Sequence, residues 1–168
     1  IIYTKIIEAE LIKLFSNAYR YINFSISNQF YLICKTQGLD FFKVRNFMKD
    51  NYKRNADIPL AGFTAGPCLL KDTMQLSAFN NHQFPLFHAA MSINESMPQY
   101  IVKKLNDEYN LKKKIVGVLG LSFKAENDDI RDSLSIKLLK NLKSKKIKTL
   151  QSDEYYKDEK NVDKNELI

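Results

Sequence analysis

Residues 3–36 run without a proline or glycine, and their apolar side chains recur at a three-four spacing: Ile7, Leu11, Leu14, Ala18, Ile22, Ile26, Phe30 and Ile33. That period marks one face of an α-helix. Gly38 follows as a C-terminal stop. A helix of roughly thirty residues is long for a globular domain and needs packing partners along its length. The remaining chain must be arranged along it, and it is expected to serve as both spine and subunit interface. Its polar positions are informative. Lys13 and Asn17 lie four apart and share a face, which without context reads as a solvated pair. Asn28 is a poor helix former in mid-helix and calls for a reason. Cys34 falls on the apolar pattern and reads as core.

A second helix is expected from Asp40, as N-cap, to about Asp50, burying Phe41, Val44, Phe47 and Met48. Residues 51–67 look irregular and end in Gly62-Phe63-Thr64-Ala65-Gly66-Pro67, just before Cys68. A loop of that length inside a compact domain is often functional. Arg54 in it reads as a surface charge or as a contact to phosphate or sugar. Gly62 and Gly66 allow close approach of the backbone to a ligand. Cys68 stands at the mouth of a helix expected over Asp72–Phe79, with Lys71 and Asp72 close behind. A helix N-terminus and a lysine both favour the thiolate, the nucleophilic form. Taken alone, such a cysteine is more often a small buried hydrophobe. Another helix is expected from Pro85 to Tyr109, with Met91, Ile93, Met97, Ile101, Val102 and Leu105 on its pattern and Pro98 as a place for a kink. His82 and His88 read as packing or surface residues.

Beyond residue 110 the pattern changes. A strand over Ile115–Leu121, a helix over Ser133–Lys145 and a strand over Ile147–Leu150 make a β-α-β unit, the opening of a doubly wound sheet. Its glycines do not spell GxGxxG. The charged segment 123–133 sits at the carboxyl end of a parallel strand, where ligands bind in such sheets. The charged tail after Ser152 is expected to fray. The chain thus divides into a mainly helical part, 1–110, and a partial α/β part, 111–168. It opens inside a helical pattern and its sheet is short, as expected of a piece of a longer protein.

The net charge is +7, but only four of the 26 basic residues are arginine, the residue that base readers rely on. The lysines are spread along the chain, and no nucleic-acid partner is expected. Two cysteines with no CxxC or zinc-type spacing indicate neither a disulfide framework nor a metal site, and they fit a reducing cytoplasm. No apolar run reaches the length of a membrane span, so no membrane partner is expected.

Four motifs stand in order: Ala9-Glu10-x-x-Lys13-x-x-x-Asn17, then Gly66-x-Cys68-x-x-Lys71-Asp72, then Asn94-Glu95-Ser96-Met97-Pro98, and Gly120-x-x-Phe123-Lys124 followed by Asp129-x-Arg131-x-Ser133. In this combination the chain resembles the UDP-glucose/GDP-mannose 6-dehydrogenase family over residues 5–155. The resemblance implies a helical middle domain that dimerises through its long helix, joined to the beginning of a Rossmann-like domain that holds a nucleotide sugar. It implies NAD as cofactor, held mainly by an N-terminal domain not seen in this chain, so the chain alone is expected to be inactive. The implied chemistry is oxidation of a sugar C6 alcohol to a carboxylate in two hydride transfers, for polysaccharide biosynthesis. Cys68 would form a thiohemiacetal and then a thioester. Lys13 would stabilise the oxyanion, Asn17 would hold the same oxygen or the hydrolytic water, and Asp72 would help position that water and assist proton transfer. Lys71 and Arg131 would lie near the dinucleotide, Phe123 and Lys124 against the substrate, and Arg54 would reach a sugar across the dimer. Ala65, Leu70 and Gln29 depart from the family pattern and leave the choice of sugar open. Two other readings remain: a non-enzymatic helical dimerisation module, and a relative of the β-hydroxyacid dehydrogenases, which pair the same Lys and Asn spacing with no thiol.

Overall fold

The computed structural model describes residues 3–64, 66–79, 81 and 83–167. Ala65 and His82 lie outside the described residues. Among those described there are five α-helices and two strands: α1 (Ile6–Thr36), α2 (Phe41–Lys49), α3 (Pro67–Phe79), α4 (Pro85–Glu108), β1 (Ile115–Leu119), α5 (Leu134–Ser144) and β2 (Lys148–Ser152). They form two compact units. One comprises Ile1–Gly62 with Cys68–Asn94, the other Phe63–Pro67 with Glu95–Ile168.

The long helix of the sequence is present, and its ends have local causes. The Glu8 carboxylate accepts the Lys5 backbone N–H at 3.0 Å, which satisfies a first-turn donor. At the other end Gly38 takes φ +67°, and the Leu39 N–H donates back to the Cys34 carbonyl at 2.8 Å. That six-to-one bond closes a Schellman turn, which a side chain with a Cβ enters only with strain. The buried face of α1 differs from the expected stripe. Ala18, Tyr21, Ser25, Asn28 and Cys34 are buried, whereas Ile7, Ile26, Phe30 and Ile33 are exposed. Ile12, Tyr19, Ile26 and Ile33 recur every seventh residue along an open apolar face. The helix is therefore two-sided, with a small, polar-containing seam turned inward and a bulky apolar seam left open.

Asp40 caps α2 by accepting the Phe42 N–H at 2.9 Å, as its position predicts. Phe41 is buried, but Phe47 is exposed, contrary to the pattern reading, because a nine-residue helix can turn only one narrow face inward. The irregular segment after α2 is pinned by side chains. The Arg45 guanidinium donates to the Ile58 and Pro59 carbonyls at 2.7–3.0 Å, and Ser27 Oγ donates to Pro59 at 2.9 Å. α4 continues through Pro98 as one helix.

In the second unit β1 and β2 pair in parallel, Ile115 opposite Lys148 through Leu119 opposite Ser152, with α5 between them in sequence. Ser133 caps α5 by accepting the Ser135 N–H at 3.2 Å. Leu138, Leu139 and Leu142 of α5 pack with Val102, Leu111, Val118, Leu121 and Ile147 into one apolar core. The tail does not fray as expected. The Val162 N–H donates to the Gln151 carbonyl at 2.9 Å, Ser152 Oγ donates to the Val162 carbonyl at 2.8 Å, and Asp163 caps a closing 3-10 turn. The polar character that suggested fraying instead supplies the groups that tie the tail to β2.

Candidate active site

α3 starts at Pro67, earlier than the expected Asp72. Proline suits a first helical position, since the N–H it lacks would have no partner there. Cys68 therefore sits in the first turn, exposed, and Asp72 lies four residues on, one turn along the same face. Lys71 is exposed on the same turn.

Asp72 is the pivot. It is only 1% exposed, yet a single oxygen, Oδ2, accepts Lys13 Nζ at 2.5 Å and Asn17 Nδ2 at 2.6 Å. Two residues one turn apart on α1 thus converge on one carboxylate of α3. The bland reading of Lys13 and Asn17 as a solvated pair gives way to this arrangement. Burial pushes the Asp72 carboxyl up, but hydrogen bonds from Lys13 and Asn17, joined by the charges of Lys13 and Lys71, outweigh it and hold the carboxyl below its usual range.

The reason for Asn28 is also visible. Its Oδ1 accepts the Gly62 N–H at 2.8 Å, and its Nδ2 donates to Asn94 Oδ1 at 2.9 Å. Asn94 Nδ2 in turn donates to the Tyr21 carbonyl at 3.1 Å. Both asparagines are fully buried. The inner seam that carries Asn17 therefore continues downward as an anchor for the start of the glycine loop. His88, read as packing or surface, pairs its Nε2 with the buried Ser77 Oγ at 2.9 Å.

In the second unit a cavity of ≈ 1290 Å³ opens at the carboxyl ends of the strands, lined in part by Phe63, Gly120, Phe123, Lys124, Asp153 and Tyr155. Phe123 and Lys124 both line this cavity. The Phe123 ring lies so close to Gly66 that a Cβ there would approach its Cδ2 to 2.7 Å. Arg131 is exposed, and its guanidinium is gripped by Asp129 through Nε and Nη2 at 2.6–3.0 Å. That guanidinium holds the Asp129 carboxyl below its usual range. Arg54 is exposed in a single 3-10 turn, Lys53–Asn55, with no hydrogen bond or ion pair among the described residues linking it to Lys13, Asn17 or Asp72. The sequence reading missed Asp153, which lies in the supposed tail. Its signal was available: an acidic residue directly after the second strand of a β-α-β unit.

The described residues contain no group of three or more His, Cys, Asp or Glu side chains arranged to hold a metal ion. No described helix is long and apolar enough to cross a membrane.

The first unit thus carries an exposed thiol and a lysine paired with a buried carboxylate, and the second carries a β-α-β unit with a cavity at its strand ends; comparison with known proteins gives the family. Residues 7–96 match the central domain of the UDP-glucose/GDP-mannose dehydrogenase family, and residues 117–167 match that family's UDP binding domain. The chain belongs to the UDP-glucose/GDP-mannose dehydrogenase family. It is 33% identical over 146 residues to UDP-glucose 6-dehydrogenase AglM of Haloferax volcanii, covering 84% of this chain and 34% of that protein. Its fold is similar to a UDP-glucose dehydrogenase from Pyrobaculum islandicum, with a TM-score of 0.78 and 30% identity over 88% of this chain and 35% of that one. It is also similar to the UDP-D-ManNAc dehydrogenase of Pyrococcus horikoshii, with a TM-score of 0.83 and 25% identity over 96% and 39%. The chain thus spans about a third of the length of the curated relatives it matches.

Proposed function

We propose that this chain is the middle and partial nucleotide-sugar-binding portion of an NAD-dependent nucleotide-sugar 6-dehydrogenase, divided near residue 110, which oxidises a sugar C6 alcohol to a carboxylate. The observation that carries this reading is the buried Asp72 held by Lys13 and Asn17, one turn after an exposed cysteine. NAD⁺, when bound, supplies the hydride acceptor for each oxidation. Lys71, with its exposed cationic head, and Arg131, exposed and paired with Asp129, would hold its phosphates.

The chain's own groups carry the remaining steps. The Cys68 thiolate adds to the C6 aldehyde carbon, forming a C–S bond and a thiohemiacetal oxyanion. Lys13 and Asn17 are donors for that developing charge, which favours its formation. After the second oxidation the carbon is a thioester. Asp72 orients a water and takes its proton as the oxygen adds; the C–S bond then breaks, returning the thiolate and leaving a carboxylate. Phe123 and Lys124 contact the nucleotide sugar, and Arg54 reaches a sugar from the neighbouring subunit.

The partner is a second copy of this chain, packed through α1. The open seam of Ile12, Tyr19, Ile26 and Ile33 has the seven-residue repeat of helix pairing. Both cysteines are free thiols, in keeping with a cytoplasmic protein.

The test uses the chain itself. Incubation with the C6 aldehyde of UDP-glucose is expected to give one thiohemiacetal adduct on Cys68 by mass spectrometry, lost in Cys68→Ala. An adduct count unchanged in that variant overturns the assignment. The chain alone is expected to show no turnover of UDP-glucose with NAD⁺, and measurable turnover overturns that part. Light scattering is expected to give a dimer that Tyr19→Glu with Ile26→Glu converts to a monomer. A monomeric wild type overturns the α1 interface.

A further inference from the structure

In a doubly wound sheet the turn after the first strand offers its backbone N–H groups to a ligand's phosphate, and an acidic residue ending the second strand reads ribose hydroxyls. Here both parts are present but turned on each other. β1 leaves its ladder at Gly120, whose φ is +88° and whose N–H still reaches the Ser152 carbonyl at 2.9 Å. The next two N–H groups, of Leu121 and Ser122, donate to Asp153 Oδ2 at 2.6 and 3.1 Å, with Ser122 Oγ adding a third bond at 3.3 Å. The other oxygen, Oδ1, accepts the N–H groups of Tyr155 and Tyr156 at 2.8 and 2.7 Å. One carboxylate therefore fills an anion cradle and joins the two loops that flank the cavity.

Resting on the nucleotide-sugar reading above, we propose that Asp153 is a positioning residue. It plugs the backbone anion cradle after β1, fixes the approach of the chain to Phe123 and Lys124, and leaves the ligand's phosphates to the lysine side chains of the cavity. Three observations support this. Leu121 is fully buried in the core, so the plugged turn has a rigid footing. Beyond it the loop is tied again, by the Phe123 N–H on the Asp129 carbonyl at 3.0 Å. Burial raises the Asp153 carboxyl, but the backbone N–H bonds from Tyr156, Leu121, Tyr155 and Ser122 outweigh it, so the plug stays charged at neutral pH. The cavity lining also holds Lys124, Lys157 and Lys164, among the carboxylates of Glu126, Glu154, Asp158, Glu159 and Asp163. A carboxylate facing a pyrophosphate would repel it, and turning Asp153 onto four N–H groups weakens its own share of that repulsion.

The test compares the wild-type chain with Asp153→Asn and Asp153→Ala by nitrogen-15 NMR. Amide exchange is followed at Leu121, Ser122, Tyr155 and Tyr156, during titration with UDP and, separately, with inorganic phosphate. In the wild type the Leu121 and Ser122 amides are expected to be protected and silent to phosphate. In Asp153→Ala they lose protection and begin to shift with phosphate, while UDP affinity falls about tenfold as the loop loses its preorganisation. Asp153→Asn keeps the shape and one acceptor, so it shows the same changes in smaller degree and serves if the alanine variant does not fold. The proposal is overturned if these amides remain protected in the variants, if they respond to phosphate in the wild type, or if UDP binds both forms equally. A wild type that fails to bind UDP sinks the nucleotide-sugar reading instead, and the amide data still decide the plug.

Discussion

Replacing Lys13 by methionine removes a charge from Asp72 while keeping most of the side-chain volume. Asp72 is 1% exposed and takes Lys13 Nζ and Asn17 Nδ2 on one oxygen, whereas the Lys13 side chain is 55% exposed. Stripping a partner from a fully buried pair costs about 3–5 kcal/mol, and from a surface pair at most about 1 kcal/mol. With one end buried and the other half in water, the loss is about 2 kcal/mol. For a chain of this size that lowers Tm by about 4–8 °C. The pH dependence follows from the lowered carboxyl. A folded-state pKa below the unfolded value contributes stability that is complete above about pH 4 and disappears as the pH falls through the folded value. In Lys13→Met burial is opposed mainly by Asn17, so the folded pKa rises. The stability gap between wild type and variant is therefore widest near neutrality and narrows below about pH 4. Thermal denaturation followed by circular dichroism at pH 7 and pH 3 reads this directly. A Lys13→Met, Asp72→Asn cycle at pH 7 is expected to give a coupling of about 1–2 kcal/mol. A gap of equal size at both pH values, or a coupling near zero, refutes the reasoning.

Other outcomes can be stated briefly. Gly66→Ala puts a Cβ 2.7 Å from the Phe123 ring at a residue with φ +115°, and is expected to cost about 2–3 kcal/mol in denaturation experiments. Gly120→Ala, with nothing within 4 Å, incurs only the backbone strain and is the milder change. Asn28→Ala leaves the Gly62 N–H and the Asn94 amide short of a partner inside the fold, at a cost of about 1–3 kcal/mol; faster proteolysis within residues 58–66 would report the released loop. Iodoacetamide under native conditions is expected to label exposed Cys68 and spare buried Cys34, and mass spectrometry of a tryptic digest distinguishes the two sites.

The local features were legible because their causes are local. The length of α1, its glycine stop, the Asp40 cap, the helix beginning near Ser133 and the β-α-β order all follow from period and capping chemistry. The family-specific motifs singled out Lys13, Asn17, Cys68 and Asp72. Other features depended on groups far apart in sequence. Asn28 was recognisable as out of place, but its partners Gly62 and Asn94 lie 34 and 66 residues away. Phe47 and the outer seam of α1 carry helical periodicity, yet periodicity does not tell which apolar face turns inward.

By itself the sequence determined the elements and the caps and stops of α1 and α2, since these depend on contacts within a turn or two of the chain, although α3 begins at Pro67 and not at Asp72. The tertiary structure alone decided that two donors of α1 meet one oxygen of Asp72 across 55 and 59 residues. It alone turned a supposedly loose tail into an ordered one, with Asp153 set on the N–H groups of Leu121 and Ser122. Burial and long-range hydrogen bonding are properties of packed elements, and no window of sequence contains both partners.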